Sequence, residues 1–349
     1  MNFRNDWFSR LTGFSERGPD EVRQRLTVRG EQLHSLENGR TFRCGRLDII
    51  SLAELRRLLA NLPGPSDSSD SRLTCEEIVG DAQTLHADPS HSNAVFQVAS
   101  QFNLLEMVSP SISPEAGVTI YQNDATQGPA CAIACGAGTI FRNYFIELGS
   151  QIGQTDTVQV DCLSSVGTVL GNSGSKLWEM RNGYALPTRD GLVQINAKLE
   201  AMSDADLDDL RTKLKVGIQW NTEVTLANER SLAGDRQLVT QVYCSAMPVA
   251  YSGQSPTRWQ PFASLVLDAA YEATFTAAVI NHHQCGSPKL FLTLLGGGAF
   301  GNESRWITDA IERSCRRFAR FPLDVKIVSF RRPNPEIREL VDRIESSQL

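Results

Sequence analysis

The sequence predicts an α/β protein of layered architecture, a mixed sheet with helices between its strands. Three observations predict it. From Arg72 onward, short apolar runs alternate with helix-length stretches. At 215–226 the alternation is strict: Val216, Ile218, Trp220, Val224 and Leu226 share one face, Gln219, Asn221, Glu223 and Thr225 the other. That pattern marks a half-solvated, antiparallel strand. Residues 289–318 read as strand, glycine loop and helix in succession.

The chain has 349 residues, 41% hydrophobic and 21% charged, enough for one large domain or two ordinary ones. A net charge of −6 gives no support to nucleic-acid binding driven by overall charge. No apolar run approaches a membrane span in length, so no membrane partner is expected. The eight cysteines are scattered with no CxxC pair, which argues against a disulfide framework or a zinc site. The N-terminal MNFRNDWFSRLTGF lacks the apolar core of a signal peptide, and its acidic content argues against a transit peptide. A reducing, cytoplasmic setting is the expectation.

Taken in order, residues 1–70 read as an N-terminal accessory region, mainly helical. Helical spacing is clear at Ile49, Ile50, Leu52, Leu55, Leu58 and Leu59. NLPGPSDSSDS, at 61–71, is rich in Pro, Ser and Asp and reads as an exposed linker. The division is 1–70 for the accessory region and linker and 71–349 for the main domain, with a looser insertion at about 150–235.

The main domain opens with a short strand ending in Gly80 and Asp81. NAVFQVAS, at 93–100, is an apolar strand running into Gln101, Phe102 and Asn103. A loop punctuated by proline and serine follows at 108–117, then an extended run at 118–124. A helix begins near Pro129, which loses no needed N–H in a first turn. Its Ala130, Cys131, Ala132, Ala134 and Cys135 are small, so it can lie close against another element. Asp124 and Gln127 fall at its entrance, where Asp124 is either an ordinary cap or part of a pocket rim. Farther on come a strand with its exit loop at 238–252, a long apolar helix at 261–281, a last strand at 323–330 and a terminal helix.

The 289–318 unit carries the most information. Residues 290–295 are almost continuously apolar, as for a strand buried on both faces. Gly296, Gly297 and Gly298 follow, then Phe300, Gly301 and Asn302. Trp306, Ile307, Ala310, Ile311, Ser314, Cys315 and Phe318 recur at helical spacing. Glycine lets backbone N–H groups come close to a ligand, and a helix start adds partial positive charge. This is an anion-binding arrangement, or a tight turn that binds nothing. No Lys-Ser or Lys-Thr follows, so it is not a Walker loop. His282, His283 and Cys285 have no second ligand group at zinc spacing, and no metal site is expected.

With these stretches located, the chain resembles the macrodomains, and more narrowly the diverged branch related to poly(ADP-ribose) glycohydrolases. Within that branch it is most similar to the MavL-like ADP-ribosyl hydrolases. The matching segments are Gly80-Asp81, Gln101 to Asn103, YQNDATQGPACAIACGAGTIFRNYF, VYCSAMPVAYS, and LLGGGAFGN with Trp306-Ile307, over about residues 72–345. The Asn-Ala-Ala-Asn run of ordinary macrodomains and the paired glutamates of the poly(ADP-ribose) hydrolases are absent.

The resemblance implies a macrodomain-like three-layer α/β/α fold with ADP-ribose in a cleft at the C-terminal ends of the strands. It implies that Asp81 binds the adenine amino group and that Phe330 stacks on the adenine. Backbone N–H groups of Gly296, Gly297, Gly298 and Gly301 would hold the diphosphate. Phe300 would pack near the distal ribose, Asn302 would close the loop, and Gln101 and Asn103 would line the distal-ribose side. Hydrolysis there needs carboxylates to support a transition state with oxocarbenium character. Asp124 is the candidate main carboxylate and Gln127 the group that orients ribose or water. Glu115 is either the second carboxylate or simply exposed. The implied reaction removes mono-ADP-ribose from protein side chains, arginine foremost. An ADP-ribosylated protein, ubiquitin among the candidates, would be the partner. No cofactor is required, with magnesium left open. A module that reads ADP-ribose without cleaving it is the alternative, and Asp124 with Glu115 separates the two.

Overall fold

The computed structural model describes residues 6–64, 72–228 and 236–346. Its apolar runs form a seven-stranded mixed sheet. In chain order the strands are β1 (Arg46–Ser51), β2 (Thr74–Val79), β3 (Val95–Ala99), β4 (Lys215–Glu223), β5 (Leu238–Cys244), β6 (Lys289–Leu292) and β7 (Asp324–Ser329). They lie side by side as β1-β4-β5-β3-β6-β7-β2. β4 is antiparallel to both its neighbours, and every other junction is parallel. The C-terminal ends of β5, β3, β6, β7 and β2 therefore share one edge of the sheet.

Helices cover both faces, giving three layers. Pro256–Cys285 crosses one face, with Leu52–Ala60, Arg189–Glu200, Asp204–Thr212 and Ser304–Arg317 packed around it. Gln127–Ala134 and Gly136–Tyr144 lie on the other. By length and composition Pro256–Cys285 does reach a membrane span, which corrects the expectation that no run comes near one. The protein itself buries 94% of its most apolar window. Its apolar character all round is that of a helix enclosed in the core.

The strand expected at 215–226 ends at Glu223, with Thr225–Asn228 helical; it is antiparallel as expected but not half-solvated. The side chains of Gln219 and Glu223 are 0% and 1% exposed. Gln219 donates to the Cys44 and Gly45 carbonyls at 2.8 and 3.2 Å and accepts from Arg142 at 3.3 Å. Glu223 accepts from the Arg43 N–H at 2.8 Å and from Arg236 at 3.3 Å. The polar face of β4 is thus a buried hydrogen-bonding face under the helix Gly136–Tyr144. A period of two is the same whether water or another layer supplies the partners.

The N-terminal region is neither mainly helical nor separate. Trp7–Thr12 and Pro19–Arg25 are helices, but a three-stranded antiparallel sheet follows (Leu26–Arg29, Gln32–Ser35, Thr41–Arg43). Ile49 and Ile50 belong to β1, the edge of the central sheet, and the helix starts only at Leu52 behind a capping box of Ser51 and Glu54. A boundary near residue 70 therefore does not separate the sheet from what precedes it. Most of the expected linker, beyond residue 64, lies outside the described residues. The region expected as an insertion likewise supplies β4 to the sheet. The run expected to be extended at 118–124 is a 3₁₀ helix, Thr119–Asn123.

Candidate functional site

The exits of β5, β3 and β6 enclose a cleft of about 730 Å³, part of it open to solvent. Gln101 and Glu106 enter it from the β3 exit, Asp124 and Gln127 from the start of the helix Gln127–Ala134, and Gly298 and Phe300 from the β6 exit.

The glycine loop is shaped by close contact. Gly296 has φ +73, and a Cβ there would fall 2.4 Å from the Ala246 Cβ. Asn302 closes the loop: its N–H donates to the Gly296 carbonyl at 3.0 Å and its Nδ2 to the Met247 carbonyl at 2.8 Å. Two of the N–H groups expected to hold a diphosphate are used inside the loop, Gly297 to Leu294 and Gly301 to Gly298, each at 3.0 Å. Those of Gly298, Ala299 and Phe300 have no partner among the described residues. Three consecutive unpaired N–H groups in a loop beside a cleft are of the kind that can receive an anion. A Cβ on Gly298 would meet nothing within 4 Å.

An aromatic wall stands beside the loop. The Phe300 ring lies 5.3 Å from Tyr184 and 5.7 Å from Tyr251, which are 5.2 Å apart. Tyr184 comes from the hairpin Trp178–Arg181 and Tyr184–Pro187 and donates its hydroxyl to the Met107 carbonyl at 2.6 Å. Burial and the nearby Tyr251 push its phenol above the ordinary range.

The carboxyls are not the expected pair. Asp124 lines the cleft, with Oδ1 accepting the Thr126 N–H at 2.8 Å. Glu115 is exposed in a 3₁₀ turn, Pro114–Ala116, and does not reach the cleft. Its place is taken by Glu106, which is 6% exposed and whose Oε1 is buried without a hydrogen-bond partner. Burial, joined by the charge of Asp124, holds its carboxyl well above the usual range, against a downward pull from Arg142. Arg142 stacks 3.6 Å over the Tyr243 ring and donates to the Leu104 carbonyl at 3.3 Å. Leu104 has φ +64, a strained conformation for a non-glycine residue, at the turn that aims Glu106 inward.

The other expected residues divide. Gln101 lines the cleft, and its Oε1 accepts the Met107 N–H at 2.8 Å. Asn103 is fully buried away from it, bonded to the Leu105 N–H and to Gln159. Gln127 borders the cleft, but its amide is committed to β3, accepting from the Ala99 N–H at 3.2 Å and donating to the Gln97 carbonyl at 3.1 Å. Asp81 and Phe330 lie beyond the cleft, at the ends of β2 and β7. Asp81 is exposed and caps the helix Ala82–Ala87 through Oδ1. Phe330 is 54% exposed with Arg331 over its ring. β2 is two strands from β6, about 10 Å along the same edge.

Glu106, Tyr184 and Tyr251 were missed by sequence reasoning. The signal for Glu106 is a lone carboxylate between Leu104-Leu105 and Met107, just past the end of an apolar strand.

Fold and site together define a three-layer α/β/α protein with a carboxyl-bearing cleft beside a glycine loop at the strand C-termini. No family model matches the chain, and no curated protein does. Among solved structures it is similar to the poly(ADP-ribose) glycohydrolase of Thermomonospora curvata, at 12% identity over 93% of this chain and 95% of that one, TM-score 0.45. It is also similar to the poly(ADP-ribose) glycohydrolase of Deinococcus radiodurans in complex with ADP-ribose, at 12% identity over 87% and 95%, TM-score 0.45. Likeness at this level carries neither substrate nor mechanism to this chain.

Proposed function

We propose that the protein is an ADP-ribosyl hydrolase that removes mono-ADP-ribose from modified protein side chains, arginine foremost. The carrying observation is Glu106, a buried carboxyl with an unpartnered Oε1 in the same cleft as Asp124 and the free loop N–H groups. Leaving such a group unsatisfied costs about 1–3 kcal/mol, which a module that only reads ADP-ribose has no need to bear.

In this reading the diphosphate sits on the N–H groups of Gly298, Ala299 and Phe300, with the distal ribose between Phe300 and the carboxyls. The adenine extends along the sheet edge toward Phe330 and Asp81, whose Oδ2 is left for the amino group. The bond between the anomeric carbon and the guanidine nitrogen breaks with its electron pair going to nitrogen. Glu106, protonated, gives that nitrogen a proton. Water adds to the anomeric carbon and gives its proton to Asp124. The products are the free side chain and ADP-ribose, and the reaction calls for no cofactor. Arginine is favoured because the Asp124 carboxylate shares the cleft with the Phe300 and Tyr251 rings, a lining that suits a planar cation. The resemblance to MavL-like hydrolases supports the same choice.

The test is release of ADP-ribose from a protein mono-ADP-ribosylated on arginine, with Asp124→Ala beside wild type and calorimetry of ADP-ribose binding to both. Wild type should release and the variant should bind without releasing. Binding by wild type with no release from arginine, acidic or serine linkages would leave only a reader.

A further inference from the structure

The segment before the central sheet has a specific connection to the cleft. Glu16, half-buried between the helices Trp7–Thr12 and Pro19–Arg25, points its carboxylate at the start of the 3₁₀ helix Thr119–Asn123. Its Oε1 accepts the Val118 N–H at 3.0 Å and the Tyr144 hydroxyl at 2.6 Å, and its Oε2 accepts the Thr119 N–H at 2.8 Å. The 3₁₀ helix has no side-chain cap from its own N-cap residue, Val118, so a distant carboxylate supplies one. Gly117 makes room: a Cβ there would be 2.4 Å from Glu16 Oε2, and its φ is +86.

That 3₁₀ helix is bonded to the backbone of both carboxyl-bearing residues. The Tyr121 hydroxyl accepts the Glu106 N–H at 3.0 Å, and the Asp124 N–H closes the helix onto the Tyr121 carbonyl at 3.1 Å. Tyr121 is buried in an apolar cluster shared with Trp7, Phe8, Leu11 and Phe14. Moving its N-terminal end would move Glu106 and Asp124 together.

We propose that Glu16 is a positioning residue, which caps the 3₁₀ helix from the N-terminal segment and so sets the placement of Glu106 and Asp124. The inference rests on the reading of those two groups as the working carboxyls. Charge-assisted bonds to backbone N–H groups are about twice as strong as neutral ones, and a misplacement of about 1 Å can cost a hundredfold in rate.

The experiment compares wild type, Glu16→Ala, Glu16→Gln and Thr12→Ala. Among the described residues the Thr12 hydroxyl bonds only the Phe8 and Phe14 carbonyls of its own segment, so its loss loosens the N-terminal helix without touching the cap. Three readouts are taken: kcat and KM for ADP-ribose release, ADP-ribose affinity, and backbone hydrogen exchange. In Glu16→Ala, exchange should quicken over 104–107 and 118–124, and kcat should fall about 10- to 100-fold with ADP-ribose affinity unchanged. Glu16→Gln, which keeps one acceptor oxygen, should fall between, and Thr12→Ala should keep its kcat. Unchanged exchange in those two segments overturns the proposal, as does unchanged kcat in an active enzyme. If wild type releases nothing but exchange still quickens in both segments of Glu16→Ala, the clamp stands and the hydrolase reading fails.

Discussion

Gly128 and Glu106 are in contact so close that a Cβ on Gly128 would lie 2.3 Å from Glu106 Oε2, and 2.2 Å from the Ala99 carbonyl oxygen. The helix Gln127–Ala134 thus presses its first turn against both β3 and the buried carboxyl. Gly128→Ala has no soft neighbour to displace on the backbone side. It should destabilise the protein by about 1–3 kcal/mol, the usual cost of overpacking, and lower kcat as Glu106 is pushed aside. Denaturant midpoints and release rates check this; a variant with both unchanged would mean the helix is not seated on β3.

Glu106→Gln should separate activity from stability. Release should fall about 10²–10⁴-fold if the group supplies proton transfer. Its folded-state pKa is raised, so above the unfolded value near 4.5 the unfolded chain gives up a proton that the folded chain keeps. Stability then falls as pH rises, by up to about 1.4 kcal/mol per unit, until the folded carboxyl ionises. The variant should match wild type in thermal midpoint near pH 4 and equal or exceed it at pH 8. A variant less stable at pH 8 than at pH 4, relative to wild type, would contradict a raised pKa.

The two glycines of the loop should respond differently. Gly296→Ala meets the Ala246 Cβ at 2.4 Å in a left-handed conformation, and should cost about 1–3 kcal/mol of stability along with ADP-ribose affinity. Gly298→Ala points into open space, so its stability should hold while affinity falls from crowding the cradle. Calorimetry with ADP-ribose and thermal melts of both variants distinguish these. Equal affinity in Gly298→Ala and wild type would move the anion elsewhere.

His86 predicts an acid limb. It is fully buried, stacked 3.8 Å from Phe96, with Nδ1 against the Ala82 carbonyl at 2.7 Å. Burial lowers its pKa from 6.5 to about 4. Between those values the unfolded chain takes up a proton that the folded chain refuses. Stability from this source is complete above pH 6.5 and drains as pH falls toward 4, by about 3 kcal/mol in all. Glu106 opposes it over part of that window, so the slope is best measured in Glu106→Gln. Adding His86→Phe to that background should flatten it; a slope that persists assigns the acid limb to other groups.

Local patterns determined much of this protein in advance. The apolar run, glycines and helical spacing of residues 289–318 each depend on near neighbours in sequence, and strand, loop and helix fall where the residues put them. The small residues from Ala130 to Cys135 likewise foretold close approach to another element, and Asp124 does reach the cleft. The tertiary structure alone decided the second carboxyl. Glu106 and Glu115 are equally plausible as letters, and only Gly128, Tyr121 and the strained turn at Leu104 bury one while the other stays in water. It also decided that the polar face of β4 is buried, and that residues before 70 brace the cleft through Glu16. Period and propensity are properties of a segment. Desolvation and the free valence of a buried oxygen are set by what packs against it, from positions that sequence spacing does not connect.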